Sequence, residues 1–250
     1  MFRGIYDILL DGKKDESLQI PSDIVIEDAS SKVVISRVGK VEIHAETLST
    51  LHALRSIVHI AIRHASYWMP FTLSTGTETD LSGGQAVPME FYGELDISSH
   101  TIDLERCKDT IRNLLQTSFE ALPFLVRSTD LLNRYAEVSA LIALTALEIQ
   151  LNEAVTDEDL HVAQKLAVLR YLDVLPAEQL GKLKNLFTLR NRLAHGLWSG
   201  EKMKNALGSV CGGSADHWVI ASVGRMKSST SQKIIETVIS TLSFLSTAKT

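Results

Sequence analysis

The stretch from Asp130 to Ala154 constrains the fold more than any other part of the chain. Read as a helix capped by Asp130 or Thr129, it confines Arg134, Glu137, Thr145, Glu148 and Asn152 to a seam about a quarter-turn wide. The surface opposite is built from Leu, Ile, Ala, Val and Tyr. A helix apolar on nearly every side cannot lie on a protein surface, because most of its circumference would face water. It has to be wrapped by other helices, and the rest of the chain must supply them.

The C-terminal sequence does so. Asp103 to about Phe124 repeats Leu104, Cys107, Ile111, Leu114, Leu115 and Phe119 at helical spacing. Thr156-Asp157-Glu158-Asp159 opens a further helix, expected to reach about Leu172, with a cap and an acidic first turn. Pro176 and Glu178 start the next in the same style, and Ser228 to Thr247 closes the chain with Ile234, Ile235, Val238, Leu242 and Leu245 on one side. Residues 199 to 228 carry five glycines and read as a break, with His217 to Val223 as a short strand or hairpin arm.

The first hundred residues read differently. Ile24 to Ile26, Val33 to Ile35 and Val41 to Ile43 are β-rich and separated by turn-forming segments, which predicts a small antiparallel meander. Ala45 to Trp68 follows as an amphipathic helix. Its His52, Arg55, His59, Arg63 and His64 lack a carboxylate at ligand spacing and are expected on the surface. Residues 72 to 88 read as an exposed loop or hairpin connection, and Ser82-Gly83-Gly84 lacks the lysine of a phosphate loop. Met89 to Ile97 alternates as a half-buried strand, and Ser98 to Thr101 marks a boundary. The expected class is α+β, mostly α: a small N-terminal domain over 1–100 and a helical bundle over 101–250.

With 45% hydrophobic residues in 250, the chain can bury a sizeable core. A net charge of -5 argues against wholesale coating of nucleic acid but leaves room for a local basic site. Such a site lies between Glu178 and Lys204, where six Lys and Arg face two Glu. Cys107 and Cys211 make neither a disulfide framework nor a zinc spacing. Asp7 and Asp11 interrupt the first apolar run, so no secretory leader is read, and no apolar run approaches the roughly 20 residues a bilayer requires. A cytoplasmic protein without membrane contact, metal or cofactor is expected.

One residue does not fit the scaffold. On the helix from Ala177 to Leu197, Leu180, Leu183, Leu186, Phe187, Leu189, Leu193, Ala194 and Leu197 share a side, and Arg190 falls in its middle. A guanidinium keeps its charge, so a position facing a core demands a carboxylate, a phosphate or several carbonyl oxygens. Glu148 or Glu137 on the central helix could supply the carboxylate. Asn191 and His195, four residues apart, share the border of the same face, and Gly196 is a natural stop.

The run Arg190-Asn191-Arg192-Leu193-Ala194-His195, preceded by Ala146-Leu147-Glu148 on an earlier helix, resembles the HEPN superfamily of helical bundles. The family signature is an Arg, usually followed by a polar residue such as Asn, with a His about four to six positions on. The resemblance covers roughly 103 to 250. Leu197 stands where one branch of the family, paired with minimal nucleotidyltransferases, has a Tyr. What the resemblance implies is metal-independent RNA cleavage at a cleft between two copies, leaving a 2′,3′-cyclic phosphate and a 5′-hydroxyl. Arg190, His195 and Asn191 would be catalytic, with Glu148 and Arg192 in support. It also implies a toxin or antiviral-defence effector, RNA and a second copy as partners, and an antitoxin or regulatory protein. The alternative is a non-catalytic interaction or scaffold module, which the family also contains.

Overall fold

The computed structural model describes residues 1–10, 18–68, 71–73, 77–81, 100–157, 159–196, 200–212, 219–220 and 225–247. The chain is α+β and mostly helical. It divides into two compact units, Met1–Leu115 and Gln116–Thr250.

The first unit is a sheet backed by two helices. Its strands are β1 (Phe2–Leu10), β3 (Ile24–Glu27), β4 (Ser31–Ile35), β5 (Lys40–Ala45), β6 (Phe71–Leu73) and β7 (Thr77–Asp80). The order is β3-β4-β5-β1-β6, with β7 also pairing β1, and every pairing is antiparallel. A separate parallel pair joins β2 (Leu18–Gln19) to β8 (His100–Thr101). The meander expected from residues 24 to 43 is present. Strand β1 is the one to which β5, β6 and β7 all pair.

Strand alternation decides which face is covered. Val33, Ile35, Val41, Ile43 and Ala45 are fully buried, while their chain neighbours Val34, Glu42 and His44 are only partly so. The helix α1 (Leu48–Ala65), capped by the Thr47 side chain, packs on this sheet and on α2 (Leu104–Leu114). Of its basic residues, His52 is exposed as expected, whereas Arg55 and His64 are half-buried and His59 and Arg63 are buried, contrary to expectation. His52 pairs with Glu78 at 3.1 Å, Arg55 stacks over Tyr6 at 4.9 Å, and Arg63 donates to the Phe71 carbonyl at 3.0 Å. Helix α2 starts at the Asp103 cap as expected but ends at Leu114 rather than near Phe124. It packs with α1, so the boundary between units falls after Leu115, not near residue 100. The expected strand over 89–97 and the Ser82-Gly83-Gly84 turn lie outside the described residues.

The second unit is the helical bundle: α3 (Leu122–Leu131), α4 (Ala136–Ala154), α5 (Val162–Tyr171), α6 (Ala177–Ala194), α7 (Glu201–Cys211) and α8 (Ser228–Thr247). A short hairpin joins β9 (Val219–Ile220) to β10 (Arg225–Met226). Helix α4 is central, packed by α3, α8, α6 and α5. Leu144, Leu147 and Leu151 are completely buried, each contributing about 1.5–3 kcal/mol. Of its buried polar side chains, Gln150 has an Nε2 without a hydrogen-bond partner among the described residues, whereas Ser139 is fully engaged. The Ser128 and Ser139 hydroxyls each donate to the other's carbonyl, at 2.9 and 2.8 Å, and Ser231 donates to Ser139 Oγ at 3.2 Å.

Three boundaries differ from the sequence reading. Thr129 and Asp130 belong to α3, and α4 begins at Ala136 behind Tyr135, which makes no side-chain cap. Helix α5 begins at Val162, where His161 and Gln164 form a reciprocal capping box, so the segment from Thr156 precedes it. Helix α7 occupies a segment read as a break. Its Met203, Ala206 and Leu207 are buried at helical spacing between Gly200 and Gly212, both at positive φ.

Candidate functional site

Helix α6 carries the site, and its amino-acid pattern dictates its setting. Leu183, Leu186, Phe187, Leu189 and Leu193 are buried and hold it against α4, α5, α7 and α8. Asn185 Nδ2 donates to Ser209 Oγ of α7 at 2.6 Å. The helix stops at Ala194: the His195 amide bonds the Asn191 carbonyl, and Gly196, at φ 64°, turns the chain left-handed and bonds Leu193.

Arg190 meets its partner across the α4–α6 contact. Its Nη2 lies 2.7 Å from Glu148 Oε2, a charge-assisted contact, and its Nη1 donates to Asn191 Oδ1 at 3.3 Å. Glu148 is the carboxylate that engages it. Glu137 is committed elsewhere, accepting from the Met226 amide at 2.9 Å. The pair is not interior: the Arg190 side chain is 33% exposed and that of Glu148 25%. Its Nε is buried and has no hydrogen-bond partner among the described residues. The arginine therefore sits at the edge of the bundle, with about a third of its side chain exposed.

Glu148, Arg190 and Asn191 are thus brought together in space. His195 and Arg192 are not joined to them by a hydrogen bond or ion pair among the described residues. The His195 side chain is exposed at the helix end, so its ring nitrogens are open to an incoming group. Arg192 is half-buried one helical turn before it.

The seam of α4 continues into a pocket of about 650 Å³ that Glu148 also lines. Glu120, Glu153 and Lys165 share that lining. Lys165 is 4% exposed, and its ammonium bonds Asn152 Oδ1 and the Val155 carbonyl, each at 3.0 Å. It thereby caps the C-terminal end of α4. Glu153 accepts a short hydrogen bond from the Ser118 hydroxyl, and the Ser118 amide donates to Gln150 at 2.8 Å. None of Glu120, Glu153 or Lys165 was singled out from the sequence. The available signal was Lys165 standing four residues before Leu169, on the inward face of α5.

Among the described residues, no three His, Cys, Asp or Glu side chains converge to hold a metal ion, and no helix is long and apolar enough to cross a membrane. Comparison with known protein families, curated proteins and solved structures finds no match to this chain.

Proposed function

We propose that the second unit is an RNA-cleaving module of HEPN type, acting through Arg190 and His195 without a metal. One observation carries the reading. At a single helix end, a guanidinium is positioned by a carboxylate from the central helix, an amide lies next to it, and an exposed imidazole stands unengaged among the described residues. An imidazole titrates near neutrality and can take the proton of a ribose 2′-hydroxyl. The freed oxygen bonds to phosphorus and the bond to the 5′ oxygen breaks. That leaving oxygen takes a proton from a second imidazole, the same residue of a second copy. Arg190 balances the charge that grows on the phosphoryl oxygens. Asn191 holds the guanidinium in plane, and Arg192 positions a flanking phosphate. The products are a 2′,3′-cyclic phosphate and a 5′-hydroxyl. In a cell, such an activity suits a toxin or antiviral effector restrained by a protein partner.

A second reading, a non-catalytic interaction module, is favoured by the same ion pair. Both terminal nitrogens of Arg190 are engaged within the chain, as a purely structural tie would have them. One experiment separates the two. Purified protein is incubated with structured and unstructured RNA in EDTA, beside Arg190→Ala and His195→Ala. Cleavage by the parent that both substitutions abolish supports the nuclease. No cleavage by the parent, or cleavage that survives both, leaves the interaction module. The His195 side chain is exposed and makes no hydrogen bond or ion pair among the described residues, so its variant separates chemistry from stability.

A further inference from the structure

We propose that the seam between α6 and α7 binds the phosphate backbone of a single-stranded RNA, with Arg192 and Lys202 as its principal contacts and Lys184 extending the track along α6. The inference deepens the nuclease reading, on which it rests for the identity of the strand.

One hydrogen bond fixes the juxtaposition. Helices α6 and α7 pack together across a connection of six residues, 195–200, which makes them antiparallel neighbours. Asn185 of α6 donates to Ser209 of α7 at 2.6 Å, so these two residues mark the facing edges and their common level. Seven residues bring a helix back to nearly the same angle, about 10 Å further along its axis. Arg192 stands seven residues after Asn185, and Lys202 seven before Ser209. The two cations therefore occupy matching levels of the same facing edges.

No carboxylate offsets them among the described residues. Neither Arg192 nor Lys202 makes a hydrogen bond or ion pair there, and Glu201, next to Lys202 in the chain, pairs with neither. Glu148 is engaged by Arg190 at 2.7 Å, and Glu178 by Lys182 at 2.8 Å. From Gly181 to Gly196 the chain has no acidic residue, and Lys184, Thr188, Asn191 and His195 share the outward face of α6. Lys202 also lies in the first turn of α7, which no side chain caps, so the helix dipole adds to the same positive field. Like charges brought level on facing edges repel one another, and a phosphate between them relieves that repulsion. The neighbouring phosphate of the same strand then comes within reach of His195, one turn further along α6.

A labelled 2′-O-methyl oligouridylate, which lacks the hydroxyl that cleavage needs, is titrated against the full chain by fluorescence anisotropy in EDTA, between about 50 and about 200 mM salt. Saturable, salt-dependent binding is expected. Arg192→Gln/Lys202→Gln should weaken it about tenfold and reduce the slope of log affinity against log salt by about 1.4, the worth of two single-strand phosphate contacts. Arg192→Lys/Lys202→Arg, which keeps both charges, should hold the parent's slope. Lys32→Gln/Lys108→Gln, which removes two cations paired within the first unit, should stay within about twofold of the parent. No saturable binding by the parent, an unchanged slope in the neutral variant, or an equal loss in the Lys32 and Lys108 control would each overturn the seam. So would a glutamate peptide that binds through Arg192 and Lys202 while the oligonucleotide does not, since the partner would then be an acidic protein. The nuclease reading fails separately. A slope lost in the neutral variant, with unmodified RNA left intact by the parent, keeps the seam and ends the nuclease, whereas cleavage with an unchanged slope does the reverse.

Discussion

The Arg190–Glu148 pair sets what the candidate site can do, and its strength can be bounded. At 2.7 Å, the Coulomb attraction of two unit charges is about 1.5 kcal/mol in bulk water and about 6 kcal/mol at an effective dielectric of about 20. Desolvation and the ordering of two long side chains offset most of that. Fully exposed pairs net about 0.2–1 kcal/mol, whereas removing one partner of a buried pair costs about 3–5 kcal/mol. With side chains 33% and 25% exposed, this pair lies between those limits. A double-mutant cycle of Arg190→Ala and Glu148→Gln, read by urea unfolding, should therefore give a coupling of about 1–2 kcal/mol. The coupling should shrink as salt is raised. A coupling of that size reduces the population of released arginine about five- to thirty-fold, a cost that an RNA phosphate taking the place of Glu148 can offset. On the proposed nuclease reading, Glu148→Gln should then raise RNA affinity at constant salt. A coupling above about 3 kcal/mol would refute the reasoning, since Arg190 would be fixed as a structural tie. A coupling indistinguishable from zero would refute it from the other side.

Other consequences can be measured on the same protein. Leu147→Ala, at a completely buried position of α4, should cost about 2–5 kcal/mol by urea unfolding; a loss below about 1 kcal/mol would contradict α4 as the centre of the bundle. Burial tends to raise the Glu42 carboxyl, but hydrogen bonds from His44 and Arg3 outweigh it and hold it below 4.5; Glu78 is held low chiefly by its hydrogen bond from His52. Both contribute stability that is present above 4.5 and lost as pH falls through their folded-state values, so Glu42→Gln/Glu78→Gln should flatten the acid limb of the melting curve. An unaltered slope would show that other groups govern acid unfolding. Burial pushes both thiols, Cys107 and Cys211, up to about 12, so neither should react with a disulfide reagent near neutral pH until the chain is unfolded. Rapid native labelling of Cys107 would contradict its place in the core of the first unit.

The legibility of this chain in its sequence followed the kind of information each feature needs. Periodicity alone located α4, α6 and α8, because each carries a long apolar stripe whose buried members are the residues at helical spacing. It failed where composition imitated punctuation. Gly200 and Gly212 suggested a break, yet they are the two ends of α7, and the pattern of Met203, Ala206 and Leu207 between them was the true signal. It failed again at Asp130, where a good capping residue stands inside α3 while the start of α4 has no side-chain cap. Strand β1 was not legible from its own residues. Gly4 lies beneath the phenol of Tyr6, which reaches Glu78 at 2.8 Å, a pairing that only the distant segment 77–80 explains.

Arg190 shows the same limit at the site itself. Its helical angle places it among Leu183, Leu186, Phe187 and Leu193, all buried, and that angle predicts an arginine inside the bundle. The angle called for a carboxylate, Glu148 or Glu137, because a charge on an apolar face needs one wherever it sits along the axis, and the packed structure supplies Glu148. Exposure depends on a second coordinate, the distance along α6 at which the neighbouring helices stop covering it, and no periodicity carries that length. Arg190 lies within the last turns, near the end where Gly196 diverts the chain. A guanidinium anchored by its partner and partly exposed is what the proposed role at a phosphate requires. Its chemistry followed from residue type and angle, whereas its accessibility had to come from the packed structure.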